Sequence, residues 1–164
     1  MAKIKDFEIR HIVKFRGHEE EPLQQGDIYY AGKKIGFYSD SAFGGDSIIN
    51  IYQREEEIIL NKVASEFVEE NKKHPSISDF IDFIDKKAVF LEEILQLQDY
   101  EQLYKKGLKK GYTCLLVSYP TKEYNALYPQ IYHCCTNFNF DKWFSEEKPA
   151  YAKYYTNIND FIIN

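Results

Sequence analysis

A chain of 164 residues has the length of one ordinary domain, enough to bury about 70% of the surface that its unfolded form exposes, and too short for a second full domain. Its 44% apolar content, with 14 Tyr and 12 Phe, excludes intrinsic disorder and lets a core close without metals or disulfides. The net charge of -5 is uneven: residues 54 to 101 hold 13 acidic and 6 basic residues, a net -7, which leaves +2 elsewhere and excludes a protein that wraps nucleic acid over its whole surface.

Phe7 to Arg16 alternates, with Phe7, Ile9, His11, Val13 and Phe15 on one face, and predicts a half-buried strand. After the polar turn from Gly17 to Pro22, Asp27-Ile28-Tyr29-Tyr30 and Ile35-Gly36-Phe37-Tyr38 predict a hairpin, closed at Ala31-Gly32 where Gly32 supplies a positive φ. Ile48, Ile49 and Ile51 make a fourth strand after the Gly44-Gly45 loop, so the first third is expected to be an antiparallel meander.

The period then turns helical. Ile59, Val63 and Phe67, with Leu60, Ala64 and Val68 beside them, predict an amphipathic helix whose Glu55, Glu56, Glu66 and Glu69 face outward. His74-Pro75 breaks the pattern, and Ser76 with Asp79 reads as a capping box that restarts it. Phe80, Phe83, Ile84, Phe90, Leu91, Ile94 and Leu95 form the next apolar stripe, opposite Asp79, Asp82 and Asp85. Leu103 and Tyr104 are assigned to a further short helix ended by Gly107. Tyr112 to Val117 and Ile131 to Thr136 predict a strand pair, and Asn157 to Asp160 a last helical turn. A meander, central helices and a β-pair, in that order, give a single α+β domain over residues 1–164.

The residue types with chemistry in them each have a plain alternative. His133 and Cys135 share one face of their expected strand, with Cys134 on the other, and are the candidate pair for a nucleophilic hydrolase. A free Cys in a strand is most often a small core hydrophobe, and that is the preferred reading of Cys134 and Cys135. No Cys-x-x-Cys or His-x-x-x-His spacing provides a zinc site, and no cofactor or metal is expected. His74-Pro75-Ser76 resembles half of a two-histidine phosphoesterase element, without its second copy. Asp141, Glu146, Glu147 and Lys148 have the residue types of a metal-dependent nuclease core, but next to Pro149 they read as a surface turn. Gly44-Gly45 lacks the Lys-Ser or Lys-Thr of a phosphate loop, and His11 reads as a core histidine.

Two charged surfaces remain. Lys105, Lys106, Lys109 and Lys110, flanked by Tyr104 and Tyr112, are the candidate nucleic-acid site, weighed against cations that complement a helix end. Glu55, Glu56, Glu66, Glu69, Glu70, Asp79 and Asp82 form the acidic surface expected to meet a basic protein partner. No segment reaches the ~20 apolar residues that span a bilayer. The odd cysteine count and the lack of a signal-peptide core point to a cytoplasmic protein without disulfides.

The stretch Asp27 to Gly36, the Gly44-Gly45 loop and the helix near Leu60 resemble small uncharacterised proteins of bacteriophages and prophages, over the first 70 residues and again faintly from Lys110 to Val117. That resemblance carries no functional residues. It implies a context in which a small protein binds and blocks a host component, so an inhibitor of a host defence protein is the leading expectation.

Overall fold

The computed structural model describes residues 1–43, 45–72, 74, 85–119 and 129–164. Its larger sheet contains β1 (Lys3–Ile4), β2 (Phe7–Arg16), β3 (Pro22–Tyr30), β4 (Lys33–Ser39) and β5 (Ile48–Ile51) as an antiparallel meander. The chain's last strand, β9 (Ile162–Ile163), lies parallel to β1 and completes the order β5-β4-β3-β2-β1-β9. The hairpin between β3 and β4 turns on two residues, Ala31 at φ 48° and Gly32 at φ 80°, since Tyr30 pairs with Lys33. Two positive φ angles match the right-handed twist of the strands, which is why a two-residue loop closes here.

The alternation expected along β2 fails at its middle. Arg10 pairs with Asp27 but Val13 with Gln25, so His11 and Ile12 together oppose the one residue Gly26, and His11 takes φ 54°. At this bulge the inward position passes to Ile12, which packs on the core while His11 and Val13 are exposed. His11 is therefore not a core histidine. Its Nδ1 lies 2.9 Å from Asp27, whose carboxyl is held below the usual range by hydrogen bonds from Lys34 and then His11. Gly26 makes the crowding possible, because a Cβ there would come within 2.6 Å of the Ile9 side chain.

Helix α1 (Arg54–Glu70) buries Leu60, Ala64, Phe67 and Val68, as its spacing predicts, mainly against the helix that follows, where the Phe67 ring meets Phe90 at 5.4 Å. Helix α2 (Lys86–Lys109) is one continuous helix of 24 residues. Two expectations are corrected by it. Asp85 has an extended backbone and caps α2 by accepting from the Lys87 amide, so it does not sit on a helix face with Asp79 and Asp82. Leu103 and Tyr104 continue α2 rather than starting another helix, because nothing between Leu95 and Gly107 breaks the i, i+3, i+4 pattern. Gly107 is buried inside the helix beneath the His133 ring, and the chain leaves the helix at Lys110 and Gly111, the latter at φ 87°. The capping box at Ser76 and the stripe from Phe80 to Ile84 lie outside the described residues, as do Asp79 and Asp82.

The smaller sheet has the order β7-β6-β8, from β6 (Cys114–Tyr119), β7 (Gln130–Cys134) and β8 (Tyr151–Tyr155). The expected β-pair is β6 with β7, and β8 adds a third strand from the tyrosine-rich tail. All six residues of β6 are buried. Leu115, Val117 and Tyr119 face α2 and join the main core, while Cys114 and Leu116 face a second cluster closed by Phe138, Phe140, Trp143 and Tyr154. Helix α3 (Phe140–Glu147) supplies part of that cover. A 3-10 turn at Ile158–Phe161, capped by Asn157 in a capping box with Asp160, returns the chain to the larger sheet. Helix α2 thus stands between the two sheets, and one apolar cluster runs from Phe7 and Ile28 through Phe90 and Ile94 to Leu115 and Tyr155.

Candidate functional site

The expected acidic surface is only partly free. Glu56 is turned inward, its side chain 12% exposed and 2.6 Å from Lys33. Glu70 lies 3.6 Å from Lys5, Glu69 is bonded to Lys72, and Glu66 stands 4.0 Å from Lys62. Glu55 remains exposed. An acidic face neutralised by its own lysines projects a much weaker field than the sequence count suggests.

The lysine cluster is divided. Lys105 bonds Glu101 at 2.7 Å, while Lys106 and Lys109 occupy the last turn of α2, where cations complement the helix dipole. Tyr104 is buried, its hydroxyl donating to the Thr156 carbonyl at 2.7 Å, and Tyr112 packs against His133 at 5.3 Å. The Tyr104 ring is thus withdrawn from stacking, while Tyr112 stays exposed beside His133.

His133 and Cys135 form no catalytic pair. The His133 Nε2 is 3.0 Å from the Leu103 carbonyl, to which it donates, and Cys135 lies beyond the end of β7, exposed. Cys134 is buried opposite Cys114, and burial pushes its thiol up to about 11, away from the thiolate that chemistry needs. Asp141, Glu146 and Glu147 belong to α3 rather than to a strand, with Lys148 in a left-handed conformation after it. Among the described residues no three His, Cys, Asp or Glu side chains are grouped to hold a metal ion. Among the described residues, then, none of the catalytic or metal candidates is assembled into a site.

A site the sequence did not announce lies where the two sheets meet α2. Strand β8 alternates, so Tyr151, Lys153 and Tyr155 share one face while Ala152 and Tyr154 face the second aromatic cluster. Register sets Tyr151 opposite Tyr119 and Lys153 opposite Val117. On α2, Glu93, Gln96 and Tyr100 fall three and four apart and point to the same place. His74, just past α1, closes one side, its ring edge-on to Tyr119 at 4.9 Å and to Tyr151 at 4.3 Å. The result is a cleft of about 190 Å³. That is slightly more than the cavity of about 150 Å³ that holds a single benzene ring.

Its electrostatics are unusual for a surface cleft. Burial lowers the Lys153 pKa, against the attraction of Asp160 and Glu93. Its ammonium stands 5.2 Å over the Tyr155 ring, and no carboxylate of the described residues lies within 4.0 Å. Burial, with Lys153 nearby, lowers His74 to about 4 and so keeps it neutral at pH 7. Burial also raises Tyr100, Tyr119, Tyr151 and Tyr155, so all four hydroxyls remain donors. Tyr119 donates a long bond to Gln96 at 3.5 Å. Tyr100 is 7% exposed, and its hydroxyl has no hydrogen-bond partner among the described residues. Tyr119 is close enough to affect its ionisation, but accepts no hydrogen bond from it.

The sequence held two signals of this cleft: the alternation of Tyr151, Lys153 and Tyr155, and polar Glu93, Gln96 and Tyr100 at helical spacing among apolar neighbours. No protein-family model, curated protein or solved structure matches the chain. No helix among the described residues is long and apolar enough to cross a membrane.

Proposed function

We propose that this chain is a binding protein rather than a catalyst, and that it holds a small ring-bearing molecule in the cleft between α2 and β8. The observation that carries this reading is the Tyr100 hydroxyl, buried at the cleft without a hydrogen-bond partner among the described residues. A buried hydroxyl left unpaired costs on the order of 1–3 kcal/mol, which a ligand that accepts its proton restores on binding. The aromatic walls fit a planar ring, and a few placed polar groups among apolar ones are the usual composition of a small-molecule site.

Amide-resolved NMR titration with a panel of small ring compounds tests it. The expected shifts gather at residues 93–100, 117–119 and 151–155. Shifts gathered instead on α1 or on Lys105 to Lys110, or none at millimolar concentrations, overturn the reading.

A second reading keeps the host protein as partner and is favoured by Ile58, 59% exposed on α1. Glu55 and Lys62 lie three and four residues from it on the same face, and an apolar residue ringed by charge is the anatomy of a small docking surface. The resemblance to phage proteins supplies the host context. Reversing Glu55, Glu66 and Glu69 to Lys should weaken such a complex and flatten its salt dependence. An unchanged affinity rules this surface out.

A further inference from the structure

We infer that the cleft is a monoanion site for a small planar carboxylic acid, with the acid's carboxylate between the Lys153 ammonium and the Tyr100 hydroxyl and its ring against His74, Tyr119 and Tyr151. This rests on the ligand-binding reading above and adds the chemical class of the ligand.

Tyr155 links the two anchoring groups, since its ring lies 6.2 Å from that of Tyr100 and carries the Lys153 ammonium 5.2 Å from its centre. A partly desolvated ammonium that stands over a ring face and makes no ion pair with a described carboxylate has hydrogen-bonding capacity left for an oxyanion. The Tyr100 hydroxyl, protonated and without a partner among the described residues, supplies a second donor. A carboxylate has two oxygens and takes one bond from each.

Charge sets the limit on the ligand. Lys5, which also lines the cleft, is already opposed by Glu70 at 3.6 Å, so among the described lining residues Lys153 is the cation left to meet an anion. Glu93 also lines it and opposes any second negative charge. A phosphate ester, close to dianionic at neutral pH, is therefore disfavoured against a carboxylate. The neutral His74 ring, edge-on to two tyrosines, forms an uncharged wall for the acid's ring rather than a second cationic contact.

The test compares benzoate, neutral benzamide of the same shape, and phenyl phosphate, each titrated against the full chain and read from amide shifts around Tyr100 and Lys153. Benzoate is expected to bind about tenfold tighter than benzamide, the gain of one charge-assisted hydrogen bond. Lys153→Gln should bring the two within about twofold, Lys153→Arg should restore the preference, and Tyr100→Phe should weaken benzoate about fivefold. The amide spectrum of each variant shows that it is folded. Benzamide binding as well as benzoate, a preference that survives Lys153→Gln, or phenyl phosphate binding tighter than benzoate overturns the assignment. If benzamide and benzoate bind the cleft equally, the ligand-binding reading stands and the anion assignment alone falls. If neither reaches the cleft, both fall.

Discussion

The His74 ring meets the Tyr151 ring edge to face at 4.3 Å, and the same imidazole meets Tyr119, itself 6.0 Å from Tyr151, at 4.9 Å. Two phenol rings leave little water around it, which is the physical source of its lowered pKa. In the unfolded chain the group titrates near 6.5, and in the folded one at about 4. Above 6.5 it is neutral in both states and the fold has its full stability. As the pH falls from there toward 4, the unfolded chain takes up the proton first and stability is lost. Because His74 keeps some contact with solvent, the loss is expected to be on the order of 1–2 kcal/mol rather than the full value of the shift. Urea midpoints at about pH 7 and about pH 4.5 should show His74→Phe less acid-sensitive than the parent by that amount. Equal acid sensitivity in the two proteins rules the mechanism out.

Lys153 carries a matching expectation for binding. The groups around it are Glu93 of α2, Asp160 of the 3-10 turn, His74 and the Tyr155 ring, and burial among them lowers its pKa from the ordinary lysine value. Only its protonated form attracts an anion, so benzoate affinity should hold at neutral pH and fall as the pH rises through the lowered pKa. The fall should begin below the range of an exposed lysine, and Lys153→Gln should abolish it. Affinity measured across alkaline pH checks both points, and a flat profile in the parent excludes Lys153 as the anchor.

At the hairpin, Ala31 holds a φ of 48° that L-residues other than Asn and Asp rarely adopt. Ala31→Asn gives the turn the Asn-Gly pair that such loops favour. It should raise stability by roughly 0.5–1 kcal/mol, visible as a higher urea midpoint with an unchanged slope. A lower midpoint would show that the Ala31 conformation carries no strain.

The meander and α1 were legible because local pattern decides them: alternation in β3 and β4, a turn at Ala31-Gly32, and a four-residue apolar period from Leu60 to Val68. The β2 bulge was not, because its register depends on Gly26 in the next strand, and an alternating sequence does not show where a partner strand skips. The end of α2 was misplaced through Gly107, which reads as a stop but fits beneath His133 inside the helix. The cleft was least legible of all. Its tyrosines come from α2, β6 and β8, up to 55 residues apart in the sequence, and only the β6–β8 register brings Tyr119 and Tyr151 together. The charge of the acidic face was overcounted, since counting glutamates says nothing of Lys33, Lys5 and Lys72 folded against them.

Glu101 shows what a carboxylate contributes when it is inside. It is 4% exposed, accepts the Ala2 amide at 2.8 Å and Lys105 at 2.7 Å, and so ties α2 to β1. Burial pushes its carboxyl upward, but Lys105 and the Ala2 amide outweigh that and hold it below the ordinary 4.5. A lowered pKa stabilises the fold above the unfolded value, and that contribution is lost as the pH falls through the folded one. Glu101→Gln should therefore cost about 1–3 kcal/mol at neutral pH, with a gap to the parent that narrows in acid. Denaturant midpoints against pH measure it, and a gap that widens in acid contradicts the assignment.

Tyr100 separates stability from binding most cleanly. Its hydroxyl is buried and unpartnered among the described residues, and burial raises its pKa so far that it stays protonated. Removing that oxygen as Tyr100→Phe takes away an unsatisfied polar atom without changing the ring that packs beside Tyr155 at 6.2 Å. The free protein should become more stable by about 1 kcal/mol, opposite in sign to most core substitutions. The same variant should bind a carboxylate ligand less well, because the donor left waiting in the cleft is gone. A stabilised protein with weakened binding is the pattern of a site that holds strain for its ligand. Calorimetric melting of both proteins, with and without benzoate, reads the two effects together. If Tyr100→Phe is instead destabilised in the absence of ligand, the hydroxyl already has a partner and the cleft holds no donor in reserve.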